Sequence, residues 1–364
     1  MAWSMLPTLS IQEKIKLHRS FLERTNDKRP LLGVIHGWEN LSLYVSDTEK
    51  FFPRGDVTIQ DLSTDRFFPM YRNYVRKLAD TNEIFPAISP LPFFPWTEAA
   101  IGCPVRYTGK NFWAAPIELV KTSDGRDRWI RTFSRENSEK WLNLYRGFLD
   151  FLSGHFSGKV PVGQGILRGP LDMAAAVLGE ENMIYLFFDH PGFMEQLLAL
   201  SESLYLDFIK VHEKHIPDFF GGRVIGQYGI WTPEGNLRHQ EDAMSLLSPD
   251  LYNKFVHLHD CRIASATHWG LFHLHSSGMH LLDTLLENEG IRIFQVSKDE
   301  GVDLDPILPG LKRIQSAGRS LIVKGRFKKN ELDVLKKSCD PGGLCVQGVV
   351  LDPGEADDFL SAFL

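Results

Sequence analysis

The chain has 364 residues, 43% of them hydrophobic and 24% charged, with a formal net charge of −6. That is enough apolar material for a large core, and the acidic balance without a Lys/Arg stripe excludes nucleic acid as a partner. No run nears the ~20 apolar residues of a membrane span and residues 1–10 hold no apolar leader, so a cytoplasmic protein away from membranes is expected.

Residues 1–28 read as an N-terminal helical segment, charged and amphipathic from Ile11 to Arg24, and 29–364 as one domain. Leu31-Leu32-Gly33-Val34-Ile35-His36-Gly37 is too short an apolar run for a helix and reads as a first buried strand. Further strands are predicted at 83–89, 160–167, 222–228, 270–275, 291–297, 319–324 and 343–350. Helix-length amphipathic segments lie between them. Trp141, Leu144, Tyr145, Phe148 and Leu152 share one helical face, as do Met194, Leu197, Leu198, Tyr205 and Phe208. Ser248-Pro249 is an N-cap and first-turn pair, with Leu251, Phe255 and Ile263 continuing the stripe. Strand–helix alternation predicts a parallel α/β fold, a (β/α)8 TIM barrel. An open doubly wound sheet is the alternative, and no G-x-G-x-x-G supports it. Turn clusters at 109–111 and 123–125 flank 112–121 and 128–132, which predicts an inserted antiparallel β-hairpin after strand 2.

Chemistry in a barrel of this kind sits at the carboxyl ends of the strands. His273-Leu274-His275-Ser276-Ser277-Gly278 places two imidazoles two residues apart in a strand, hence on one face. That suits a metal site or an acid/base pair, or hydrogen-bonded polar residues closing the mouth. Gln227-Tyr228-Gly229-Ile230-Trp231 is an aromatic strand end, with Glu241 and Asp242 following as acids or as a solvated loop. His36-Gly37-Trp38-Glu39 ends the first strand. Asp299 and Arg326 follow later strands, for metal and anion respectively, unless both make surface salt bridges. Cys103, Cys261, Cys339 and Cys345 lie far apart with no C-x-x-C, which speaks for free thiols.

With those segments placed, the sequence resembles the uroporphyrinogen decarboxylase superfamily, which includes the methylcobamide:coenzyme M methyltransferases. The resemblance spans about residues 29–360 and rests on six segments: Arg29-Pro30, Gly169-Pro170-Leu171-Asp172-Met173-Ala174, Gln240-Glu241-Asp242, Leu247-Ser248-Pro249-Asp250-Leu251-Tyr252, the His273–Gly278 segment and Pro353-Gly354-Glu355. The decarboxylases' arginine-rich loop after strand one is replaced by Val34-Ile35-His36-Gly37-Trp38-Glu39. Their catalytic aspartate falls near Ser89-Pro90 and their tyrosine in Ala174-Ala175-Ala176-Val177. Unpaired porphyrinogen carboxylates would cost several kcal/mol each in such a cavity.

The methyltransferase branch holds zinc through H-x-C and a late cysteine. Here His273 stands for the His and His275 for the Cys; Cys345 lies four residues ahead of the late cysteine's place. The resemblance thus implies a zinc-assisted methyltransferase acting on a small substrate or on a methyl group borne by a corrinoid partner protein, in a barrel that often pairs as a homodimer. The expected metal set is His273, His275, Asp299 (ligand or orienting partner) and Cys345, whose other reading is a buried inert thiol. Glu241 is expected as general acid/base, with His36 as a second catalytic side chain. Trp38, Trp96, Gln227, Trp231 and Arg326 are expected to contact substrate. The alternatives are a porphyrinogen decarboxylase, and a barrel that binds a small anion through His36, His273 and Arg326.

Overall fold

The computed structural model describes residues 9–36, 51–52, 54–77 and 83–364. Among them the strands are β1 (Leu31–His36), β2 (Gly55–Val57), β3 (Val105–Tyr107), β4 (Phe112–Ala114), β5 (Arg223–Ile225), β6 (Ile230–Thr232), β7 (Asn236–Gln240), β8 (Trp269–His275), β9 (Ile291–Lys298), β10 (Ser320–Gly325) and β11 (Leu344–Val350). The fold is α/β. Its main sheet has six parallel strands in the order β1-β11-β10-β9-β8-β7, with helices between them in sequence.

Alternation along these strands divides their side chains between two cores. Phe272, Leu274, Phe294, Val296, Leu321, Val323, Leu344 and Val346 join the larger one. Leu31, Leu271, Ile293, Ile322 and Cys345, one residue out of step, join a smaller cluster with Phe21 of the helix Ile11–Leu22. Both faces are therefore covered, as a parallel sheet requires. His18 locks the first helix beneath the sheet: its Nε2 donates to the Glu83 carbonyl at 2.9 Å, and its Nδ1 accepts from Trp231 N–H at 2.9 Å.

Five of the eight predicted barrel strands are ladder strands here. The segments 83–89 and 160–167 are not; their one parallel link is the bridge between Ile88 and Val162. Gln164 replaces a ladder at the sheet's edge, accepting from Arg238 N–H (2.9 Å) and donating to Arg238 C=O (2.8 Å) with one side chain. The eight-stranded closure is therefore not drawn by backbone pairing. The predicted strand at 222–228 is instead β5, which pairs antiparallel with β6 outside the main sheet. The strand that takes its place, β7, was not foreseen.

The turn at 109–111 does join an antiparallel pair, β3 and β4, with β2 on the other edge. The second predicted arm at 128–132 is a correction: it lies in the helix Ser123–Thr132, whose N-terminus Thr122 caps by accepting from Gly125 N–H. The helices Arg135–Phe156 and Pro191–His215 bury the expected faces, and Ser248 caps Pro249–Phe255. The stripe from Leu251 to Ile263 is broken at Val256 into two helices. Among the described residues no helix is long and apolar enough to cross a membrane.

Candidate metal centre and its cavity

Strand β8 delivers His273 and His275 to one face, and their rings meet edge to face with the two Nε2 atoms 3.1 Å apart. Each ring is held by its other nitrogen. His273 Nδ1 faces Gln295 Oε1 on β9 and lies 3.0 Å from the Tyr228 hydroxyl. Gln295 points its amide nitrogen the other way, to Ser297 Oγ at 3.2 Å, so its oxygen is left to accept. His275 Nδ1 donates to Asp299 Oδ1 at 2.6 Å, and Asp299 Oδ2 accepts from Ser276 N–H (3.0 Å) and its hydroxyl.

When both Nδ1 atoms donate, both Nε2 lone pairs point at each other, and in that tautomer a proton or a metal ion is needed between them. The Asp299 hydrogen bond raises His275's pKa above its ordinary value; burial and the Arg238 charge hold that of His273 well below.

Asp242, just beyond β7, completes the set. Its Oδ1 is 3.8 Å from His275 Nε2, and its Oδ2 accepts from Gln240 Nε2 at 2.6 Å. One donor atom from each of Asp242, His273 and His275 fits within 4.8 Å of the others. Asp299 holds His275 from its Nδ1 side.

Below the pair lie two buried cations, Arg238 and Lys324. Arg238 Nε reaches the Tyr228 hydroxyl at 3.4 Å while its Nη1 has no partner. Lys324 Nζ stands 4.9 Å over the Tyr228 ring, its pKa pushed down to about 7 by burial and by Arg238. Neither has an ion pair among the described residues.

Beside Asp242 opens a cavity of about 590 Å³, bounded by Arg168, Asp172 and Glu98 and by the rings of Phe94 and Trp113. Burial, then the nearby Asp242 charge, push Asp172 up to about 7. A second cavity of about 430 Å³ lies against Asp299 and Arg326. Three of its cations are ion-paired, Lys298 with Glu331 (3.5 Å), Arg326 with Glu355 (2.5 Å) and Lys328 with Asp303 (2.7 Å), and Lys329 lines it as well.

Several expected site residues are placed elsewhere. Glu241 is fully enclosed; its carboxylate accepts from Leu171 N–H (3.2 Å) and Asp172 N–H (2.9 Å), capping the helix Pro170–Leu178. A Cβ on Gly169 would come within 2.2 Å of that carboxylate, which explains the glycine. Burial, then Asp260 and Asp172, raise Glu241's pKa well above the carboxylate range, and His239 Nε2 lies 3.9 Å from its Oε1 and 2.8 Å from Asp260. Cys345 faces inward but at the wrong end, paired in register with Leu31 and Ile322 where the strands begin. It is a buried thiol, away from the histidines. Trp231 is enclosed with Phe85, Phe219 and Val224, donating to Phe219 C=O. Trp96 is enclosed in another core, donating to Pro90 C=O. Neither lines the two cavities described above. Gln227, in the β5–β6 turn, has a buried Nε2 without a partner and no contact that ties it to the histidines. Arg326 is tied to Glu355. Trp38 and the His36 side chain lie outside the described residues.

Tyr228, Arg238, Gln295 and Lys324 carry no site role in the sequence reading, and Asp242 appears there only as an acid of the loop after Trp231. Arg238 and Gln240 alternate in β7 as His273 and His275 do in β8, a signal visible once that strand is placed.

The fold is similar to that of a solved structure, a methyltransferase from Methanosarcina mazei, with a TM-score of 0.60 over 96% of this chain and 97% of that one at 14% identity. No family model and no curated protein sequence matches the chain. At that identity the likeness concerns the fold.

Proposed function

We propose that this chain is a metal-assisted methyltransferase acting on a small substrate or on a corrinoid-borne methyl group, in a (β/α)8-type barrel that segments 83–89 and 160–167 complete. The observation that carries the reading is the pair of opposed Nε2 atoms, each ring fixed by a partner at Nδ1. The fold likeness to a methyltransferase and the motif order resembling the uroporphyrinogen decarboxylase superfamily support it.

The donor set fits zinc: two imidazole nitrogens and a carboxylate leave a fourth position for substrate, as catalytic zinc requires. It is a harder set than one with thiolates, and zinc accepts both. His273, His275 and Asp242 would hold the ion, replacing the expected Asp299 and Cys345. Zinc there would supply Lewis acidity, keeping an acceptor group deprotonated near neutral pH. Asp299 and Gln295 fix ring orientation and leave each Nε2 lone pair free. Arg238 and Lys324 stabilise negative charge on a small acidic substrate, because buried cations without partners are costly.

The test is anaerobic incubation of zinc-loaded protein with methylcobalamin and a small acidic thiol, read by loss of the methylcobalamin absorbance and the mass of the methylated product. H273A and H275A should each lose about 100-fold or more of the rate. Wild-type rates no faster than buffer with zinc, across donors and thiols, would remove the proposal. One observation favours a second reading, a barrel that binds a small anion without methyl transfer: Arg238 and Lys324 lack counter-charges. Anion binding lost in K324M, without bound metal in the wild type, would select it.

A further inference from the structure

We infer that the cavity beside Asp242 is a binding site for a small alkylated ammonium ion. This deepens the methyl-transfer reading and rests on it for the role of the ligand, but the binding itself needs no metal. Four carboxylates line the cavity, Glu98, Asp172, Glu180 and Asp242. Glu98 is fully buried and Asp172 is 5% exposed. The one cation of the lining among the described residues, Arg168, pairs with Glu98, Nε to Oε1 at 3.4 Å. Glu98 Oε2 accepts from Thr97 Oγ at 3.0 Å, while its Oε1 has no hydrogen bond. Asp172 Oδ1 accepts from Ala243 N–H at 2.8 Å, and its buried Oδ2 has no hydrogen bond among the described residues, the Arg168 charge acting on this carboxylate as it does on Glu98 and Asp242. A buried carboxylate oxygen with nothing to accept from is costly, and the cavity is where its partner would come from.

The other wall states which cation. Phe93, Phe94, Phe112 and Trp113 line the same space, Trp113 half exposed. Aromatic faces attract cations that have shed their water, and methylated ammonium ions shed it most easily. A hard metal ion needs six or more oxygen ligands, or a fixed octahedron, and gains nothing from ring faces. The space of about 590 Å³ is also that of an organic ligand rather than an ion. Arg168, half exposed, keeps its outer nitrogens for any carboxylate the ligand bears.

The experiment is titration calorimetry with choline against its neutral carbon isostere 3,3-dimethylbutanol, on protein stripped with chelator and again on zinc-loaded protein. Choline should bind one per chain in both forms, about tenfold or more tighter than the isostere. D172N should lose about tenfold in choline affinity while its melting temperature holds or rises, since asparagine still accepts from Ala243 N–H and a buried charge is gone. W113A, a half-exposed position, should weaken choline, and neither this variant nor the wild type should bind acetate. Equal binding of the isostere, no binding of choline, unchanged affinity in D172N, or acetate binding in choline's place would each overturn the inference. Choline binding to a protein that takes up no zinc would instead sink the metal reading and leave this site standing.

Discussion

Asp299 Oδ1 accepts from His275 Nδ1 at 2.6 Å, and this commits the carboxylate to the side of the ring away from Nε2, the proposed ligand atom. Burial alone would lift Asp299; its hydrogen bonds from His275 and Ser276 prevail and hold it below the ordinary carboxylate range. D299A should therefore weaken zinc by about 10- to 100-fold without abolishing it. D242A, which removes a donor, should cost more. Competition with a chelator of known affinity gives both numbers, and equal losses would place Asp299 in the ligand set.

Glu241 divides structure from catalysis in the same way. E241A strands two buried N–H groups and opens a cavity, and should destabilise the protein by about 3–5 kcal/mol in denaturant melts. E241Q keeps an oxygen for one or both N–H groups and should retain the pH–rate profile. A profile that loses a limb in E241Q would restore Glu241 as the acid/base.

His18 gives the acid limb of stability. Burial, offset by its bond to Glu83 C=O, lowers its pKa from 6.5 to about 4 in the folded chain. The unfolded chain takes the proton first, so stability is complete above pH ~6.5 and falls as pH drops toward ~4, by ~3 kcal/mol over the window. H18Q keeps a donor and an acceptor for Glu83 and Trp231 and should flatten that slope. Urea midpoints for both proteins at pH 4, 5, 6 and 7 give the comparison, and identical slopes would discount His18.

The readability of the chain follows its apolar pattern. Strands such as β1, β10 and β11 are continuous apolar runs, and their register places the sheet correctly. β7 reads Asn-Leu-Arg-His-Gln and carries no strand signature, its polar side chains finding partners only once folded: Asn236 with Thr232, His239 Nε2 with Asp260, Gln240 with Asp242. Misplacing that strand onto 222–228 moved Trp231 and Gln227 to the rim and Glu241 into the site, when Asp242 is the residue that arrives. The His273/His275 pair was legible from two-residue spacing alone. Cys345 was misassigned because alternation fixes the face of a strand but not the height along it; its partners Leu31 and Ile322 mark the starting end. Arg238 and Lys324 stand out only when packing shows them buried without counter-charge.

Zinc K-edge absorption on protein purified without chelator tests the metal centre most directly. The account expects about one zinc per chain with a first shell of nitrogen and oxygen only, near 2.0–2.1 Å, including the outer-ring scattering of two imidazoles. A sulfur scatterer near 2.3 Å, or a chain that holds no zinc, would contradict it.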